Sequence, residues 1–415
     1  MTTEREAYLD QLTESHRIRV VVKVHDRDET YLGSLEHHIV GGQIDVDTER
    51  DVERSAQVIL ADENNRLPFD NQDHRGLGLY ADRFIGIEYG VFVDQIQRWV
   101  FEPVFFGPMT RYERNVGQVK LWCEDKSSLL QPPVVWGRFL RNAGIEWLEG
   151  ETDTNLGEAT ELIRTILRAT GETDRNMVFG SFDRFRLPKS FRLPKEPESL
   201  WAVLKRIVRA ANALHHSVEF RLFYDGAGRV RVENMAHSRF VFSDGGQRGT
   251  LLSRPIVSYD LESFRNTVVV RYGERGASIA RSLPNHHSLS AQSLSRNGKP
   301  RYVTEIVDNS NVRGRDAAKD LGDMMLRRLA AETVEATFDC LPIPHVIPGS
   351  RCKLRAEGDE MVFHLNRFSL PLRATDAMSV GYLRRMRSGP TRPIHTVVHV
   401  HAADEDKVAV GGVNP

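Results

Sequence analysis

A chain of 415 residues with 56 basic against 57 acidic side chains carries a net charge of −1, so no large field draws it toward nucleic acid or an anionic membrane. Its length accommodates about two to four domains with cores of their own, and no apolar run approaches the roughly 18 residues of a membrane span. Met1 to Leu12 is too charged for a signal peptide, and Cys123, Cys340 and Cys352 are too few and too scattered for a disulfide scaffold, so synthesis in a cytoplasm with reduced, buried thiols is expected.

The spacing predicts a helix over Glu4–Thr13. From Ile18 to Cys123 the dominant period is two, in Ile18–Val24, Gln57–Leu60, Phe84–Tyr89 and Gln118–Trp122, with Gly, Asp and Asn turns between. Short strands so separated point to a barrel or sandwich. From Ser127 to Met235 the period lengthens. Val134–Leu140 and Leu156–Ala169 read as helices, the second with Leu156, Ala159, Ile163, Ile166 and Leu167 on one face. Glu198-Ser199 precedes a third, Leu200–Leu214, striped by Leu200, Leu204, Ile207, Val208 and Ala211. Val218–Tyr224 and Arg229–Glu233 flank Asp225-Gly226-Ala227-Gly228 as a hairpin. Residues 236–252 and 274–300, rich in Gly, Ser, Asn and Arg, read as long loops. Ala317, Leu321, Met324, Met325, Leu329 and Ala330 mark an amphipathic helix, followed by a strand over Thr333–Phe338. A turn carrying Pro342, Pro344 and Pro348-Gly349 then leads to a short strand ending at Leu354.

This last stretch resembles the second barrel domain of phage-tail baseplate hub proteins. Arg265–Val270 with Tyr272-Gly273 is similar to the strand that opens that domain, and Phe363–Phe368 with Ser369-Leu370-Pro371-Leu372 is similar to its close. Gly42–Asp47, Asp51–Arg54 and Ala56–Asp62 resemble the strand, linker and strand of the first barrel. The likeness runs in order over residues 15 to 388 and takes in tail-associated lysin N-terminal hubs and actinophage-like minor tail proteins. It implies an α+β, mainly β fold: two β-barrel hub domains of similar fold with an intervening helical or α+β domain. The implied division is 1–14 as an N-terminal helix, 15–128 as the first barrel, 129–252 as the middle domain, 253–388 as the second barrel and 389–415 as a C-terminal extension.

The function implied is structural. Such a protein sits in the virion at the distal tail tip, closes the tail tube, adapts a six-fold tube to a three-fold tip and opens for DNA release. The partners implied are two further copies in a homotrimer, a distal tail adaptor ring, the tail tube protein, the tape-measure protein and a central fibre or other tip protein. No cofactor, sequence-specific nucleic acid or membrane span is implied. The alternative is a tail-associated cell-wall hydrolase, since relatives often carry lysins on C-terminal extensions. The 28 residues from Ser388 onward are expected to be too few for a catalytic domain.

Candidate chemistry is sparse. No G-x-S-x-G elbow, Walker loop, H-E-x-x-H or paired CxxC occurs. Asp45, Asp47, Glu49, Asp51 and Glu53 could supply a glycosidase acid and nucleophile, but beside Arg50 and Arg54 they fit better a charged strand edge that resists promiscuous pairing. Cys123, in the apolar run Leu121-Trp122-Cys123, reads as packing rather than as a nucleophile. His395, His399 and His401 would share one face of a strand and could hold zinc, iron or nickel, although solvent or interface histidines are the commoner outcome. The pairs His37-His38 and His286-His287 would face opposite ways. Phe185–Ser190 is nearly repeated as Phe191–Glu196. Its interleaved basic and aromatic residues suggest nucleic-acid or lipid binding, and Pro188 and Pro194 favour a docked loop instead. No catalytic or cofactor-binding residue is assigned.

Overall fold

The computed structural model describes residues 3–386 apart from 15, 36–37, 63–66, 68–78, 80–82, 143–158, 183–186, 188–195, 213–219, 236–237, 245–248, 260–263, 274–276, 310–311, 313, 332–333, 357–358 and 374–375, together with 399–400. The chain begins with α1 (Glu4–Gln11), set by a reciprocal cap in which Thr3 Oγ1 accepts from the Glu6 amide and Glu6 accepts from the Thr3 amide. Seven strands follow: β1 (Ile18–His25), β2 (Tyr31–Ser34), β3 (Ile39–Asp47), β4 (Arg54–Asp62), β5 (Phe84–Val93), β6 (Arg98–Asn115) and β7 (Gly117–Glu124). The middle region holds β8 (Pro133–Val134), α2 (Trp136–Asn142), α3 (Ala159–Ala169), β9 (Met177–Val178), β10 (Glu198–Ser199), α4 (Leu200–Asn212), β11 (Phe220–Tyr224) and β12 (Val230–Asn234). Next come β13 (Ser238–Ser243), β14 (Ile256–Tyr259), β15 (Thr267–Tyr272), β16 (Ala277–Ser282), β17 (Thr304–Asn309) and α5 (Arg315–Ala331). The last strands are β18 (Val334–Cys340), β19 (Arg351–Ala356), β20 (Asp359–Pro371), β21 (Met378–Met386) and β22 (His399–Val400).

The fold is α+β and mainly β. One 13-stranded sheet runs β14-β18-β21-β20-β3-β4-β7-β6-β5-β1-β2, with β19 on β20 and β13 on β19. Strict alternation builds it: in β4, Arg54, Ala56, Val58, Leu60 and Asp62 are buried and the residues between them are half-buried. Two closed barrels were expected, and the strands form a single open path with one shared core instead. The reason is the seam. Gln43–Asp47 of β3 ladder antiparallel with Pro371–Arg367 of β20, which takes the edge β3 would need to close on β1 or β2. The second half comes nearer to closure, because Leu252 N donates to Asp339 O and Leu341 N to Thr250 O across the gap between β13 and β18.

The two halves share a wiring that their side chains do not reveal. The all-antiparallel order β3-β4-β7-β6-β5 recurs as β14-β18-β21-β20-β19. The long strands β6 and β20 hold the same place in each, and each shifts register where it leaves its first partner, at Met109/Arg111 and at Leu365/Arg367. The β3–β4 connection is residues 48–53, whereas the β14–β18 connection is residues 260–333 and folds separately. Within that insertion β15, β16 and β17, joined by β22, form a four-stranded sheet, and α5 covers it around Val268, Val270, Ile279, Ala318, Leu321 and Leu326.

In the middle region α3 and α4 bury the expected stripes against the β11–β12 hairpin. The hairpin turn forms because Asp225 Oδ1 accepts from the Ala227 and Arg229 amides, at 2.9 and 3.0 Å. The expected helix over Val134–Leu140 begins two residues late, with Val134 in β8. The expected loops 236–252 and 274–300 contain β13 and β16, whose apolar alternation is hidden among Arg and Ser. No helix among the described residues is long and apolar enough to cross a membrane.

Candidate functional site

Three parts of the chain meet at the acidic linker between β3 and β4. Asp47, 5% exposed, closes the linker with its amide donating to Glu53 O at 2.8 Å and its Oδ1 accepting from the Glu49 amide at 3.0 Å. Its Oδ2 accepts from Arg367 Nε and Nη2 of β20, at 3.0 and 2.6 Å, with Arg50 Nε at 3.4 Å. Asp45, one pleat away, accepts from Ser369 of β20 and from Gln43 Nε2. A cleft of about 230 Å³ lies over this seam, between Asp45, Asp47, Arg50, Glu53, Arg367 and Ser369.

Glu53 faces the other way, into the middle region. It pairs with Arg221 of β11, and Lys205 Nζ of α4 lies at 3.5 Å. Arg221 also donates through Nη1 to Pro348 O at 2.7 Å. The neighbouring Gly349 has φ +76°, and a Cβ there would run into the Arg221 guanidinium. Arg221 thus ties together the middle hairpin, the first-half linker and the proline turn of the second half.

A second charged joint lies nearby. Lys126, 4% exposed and just after β7, pairs with Glu29 and with the buried Glu172. Tyr224 Oη donates to Glu172 Oε1 at 3.0 Å, and Asn176 Nδ2 donates to Glu29 Oε2 at 3.2 Å. Burial, and then Glu172, raise the Tyr224 phenol well above its ordinary range. Asp125 accepts from Ser127 N at 2.9 Å and from Arg54 N at 3.0 Å, yet burial pushes its carboxyl up to about 6. The Asp225–Gly228 turn completes the docking, since a Cβ on Gly226 would meet the Pro103 carbonyl of β6.

The carboxylate run therefore meets cations of its own chain. Its two buried members, Asp47 and Glu53, point to opposite sides of the linker, toward β20 and toward the middle region. Cys123 is buried and its thiol is pushed far up by burial, which makes it packing. His395 and His401 lie outside the described residues, and the backbone of His399-Val400 pairs with Ile279 and Ser278. His37 also lies outside them, and His38 Nδ1 sits 3.2 Å from Ala61 O. His286 is exposed and His287 buried, in a turn rather than a strand. Of the Phe185–Glu196 near-repeat only Leu187 and Glu196 are described. Among the described residues no group of three His, Cys, Asp or Glu is placed to hold a metal. The joint residues Lys126, Glu172 and Arg221 carried no sequence signal, because each gains its role from a partner far away in the chain.

No family model and no curated protein matches the chain by sequence. Solved structures share its fold. The crystal structure of the 43 kDa tail protein of prophage MuSo2 from Shewanella oneidensis aligns with a TM-score of 0.53 at 9% identity, over 89% of this chain and 98% of that one. The tail protein from Neisseria meningitidis MC58 aligns with a TM-score of 0.53 at 16% identity, over 89% of this chain and 97% of that one. The likeness is one of fold, and the fold is that of phage tail proteins, as the sequence resemblance implied.

Proposed function

We propose that this chain is a structural component of a phage tail, a baseplate hub at the distal tip. The observation that carries this reading is the alignment with two tail proteins over nearly their whole lengths. In this reading three copies form the hub, the adaptor ring and tube protein contact it on one side and a fibre or other tip protein on the other, and it opens for tape-measure protein and DNA. The recurring strand order supports a further part of the reading: the two halves act as quasi-equivalent units alternating around the trimer, so that three subunits present six similar faces, with the middle region to one end. Mass measurement of purified tails is expected to give three copies per tail, and one or six would sink the assignment.

A hub of this kind works by geometry, without turnover. Purified protein is expected not to clear a peptidoglycan zymogram. Clearing that disappears in Glu49→Ala or Asp51→Ala would establish the hydrolase reading instead. Elemental analysis is expected to find no transition metal, and metal lost from a His395→Ala, His399→Ala, His401→Ala variant would overturn that expectation.

A further inference from the structure

The near-neutral total of the chain hides a local excess of positive charge. Residues 283–303, which join β16 to β17, contain Arg296, Lys299 and Arg301 and no carboxylate. At the apex the Arg296 and Lys299 backbones exchange both hydrogen bonds, each at 3.0 Å, and Asn297 and Gly298 have φ of +53° and +75°. Two central residues at positive φ make a tight hairpin turn, which an Asn-Gly pair adopts readily. The turn sets two cations directly opposite each other, and such a pair costs stability unless an anion lies against it. Among the described residues no carboxylate pairs with Arg296, Lys299 or Arg301, and all three are exposed. The connection is held firmly behind this apex. Fully buried Asn266 clamps its end, with Nδ2 donating to Arg301 O and Oδ1 accepting from Val303 N, both at 2.8 Å. Arg301 N donates to Ala291 O at 3.0 Å, Ser293 N to Ser290 Oγ at 3.0 Å and Ser293 Oγ to His287 O at 2.8 Å. A surface already ordered in this way has little entropy left to lose on binding.

We propose that the β16–β17 connection, with the exposed side of β17, docks on the anionic headgroups of a phospholipid bilayer. The charge argues for phosphate, and the side chains beside it argue for a bilayer. Tyr302 and Ile306 are each 52% exposed. Val307 packs under α5, so strand alternation turns Ile306, and Tyr302 before it, to the opposite side. A duplex DNA backbone would satisfy the three cations and leave Tyr302 and Ile306 in water. A bilayer surface takes both kinds of group: phosphates meet the guanidinium and ammonium groups, while an aromatic ring and an aliphatic side chain settle at headgroup level. The net charge of −1 does not oppose this, because screening beyond about 10 Å leaves the local patch as what a charged surface meets.

The proposal rests on the tail reading only for where such a bilayer would be met, and the copy number per tail tests that reading separately. The test is flotation of the full-length protein with vesicles of phosphatidylcholine alone or with about one-third phosphatidylglycerol. Wild type is expected to float with the anionic vesicles only, and high salt is expected to release it. The double variant Arg296→Glu, Lys299→Glu, with an unchanged circular dichroism spectrum, should bind at least about thirty-fold more weakly. Arg175→Glu with Arg209→Glu makes the same charge change at exposed residues of the middle region and should leave binding within about two-fold of wild type. Tyr302→Ala, which alters no charge, should weaken binding about five-fold. Wild type that stays with neither vesicle, or equal losses in the two double variants, would overturn the proposal. So would unaltered binding of Tyr302→Ala together with equally tight binding of a DNA duplex, which would make the patch a general phosphate site.

Discussion

The β3–β4 and β14–β18 connections occupy the same place in the two halves and solve the same problem in opposite ways. Residues 48–53 are too short for a core, so the linker is fixed by charge: Asp47 to Arg367, Glu53 to Arg221 and Lys205. Residues 260–333 are long enough to bury Val268, Val270, Ile279 and Leu326 under α5, with the Arg281–Asp323 ion pair inside. A short connection between sheet strands depends on its neighbours, whereas a long one can become a unit of its own. Lengthening such a connection costs little closure entropy, since the cost grows only with the logarithm of length.

The dependence on charge is sharpest where the first half meets the middle region. Lys126→Met removes the shared cation and leaves Glu172 buried with Glu29 beside it, both negative. The expected cost is about 3–5 kcal/mol, as for other buried pairs broken on one side. Urea denaturation reads it directly. A loss below about 1 kcal/mol would mean that packing, for instance of Gly226 on Pro103, holds this junction.

Asp125 supplies a pH test of the same region. Its amide donates to Arg54 O and its carboxylate accepts from Arg54 N, so it anchors the strand leaving the short linker. Its carboxyl is raised from 3.8 to about 6, with burial as the main cause. A raised folded value favours the protonated native state, so this contribution is fully present below 3.8 and is lost as pH rises through about 6. Stability of the wild type relative to Asp125→Asn should therefore increase by up to about 3 kcal/mol from pH 7 to pH 4. Taking the difference between the two proteins cancels the other carboxylates. A difference independent of pH would show that the hydrogen bonds from Ser127 and Arg54 cancel the effect of burial, and one that falls on acidification would show that they outweigh it.

The long connection can be tested by shortening it. Replacing residues 260–333 with six glycine and serine residues matches the length of 48–53 and should leave the large sheet folded. The closure term alone favours the shortened chain by about 2 kcal/mol. Retention of the cooperative unfolding transition and of the β-type circular dichroism spectrum is the expected outcome. Loss of the sheet would show that α5, which also touches β21, is needed by it.

The sequence made local order legible and long-range order almost invisible. The stripes Ile163, Ile166, Leu167 and Leu204, Ile207, Val208 place α3 and α4 because a helical face repeats within one stretch of chain. Asp225-Gly226 marks its turn for the same reason. The β3–β20 seam joins Asp47 to Arg367, 320 residues apart, and nothing local to either residue announces the other. The recurring strand order is likewise hidden, since a pleat accepts any side chains that alternate suitably, and β4 and β18 need share no residue to occupy one position. The resemblance led to the right fold but to barrels that do not close, because closure depends on which edge is already taken. Lys126 and Glu172 lay outside any motif, as two charges become a joint only when folding buries both.

The smallest effect is expected at the seam itself. β3 and β20 are held by a backbone ladder over Gln43–Asp47, and their side-chain bonds are additions to it. Ser369→Ala removes the hydroxyl that donates to Asp45, and Gln43 Nε2 remains on that carboxylate at 2.9 and 3.0 Å. The acceptor stays partnered, so the expected loss is below about 1 kcal/mol. Arg367 is 53% exposed, and Asp47 keeps Arg50 and the Glu49 amide when Arg367 is truncated, so Arg367→Ala should also cost no more than about 1 kcal/mol. If either variant cost more than about 2 kcal/mol in urea denaturation, side chains rather than the ladder would hold the halves together.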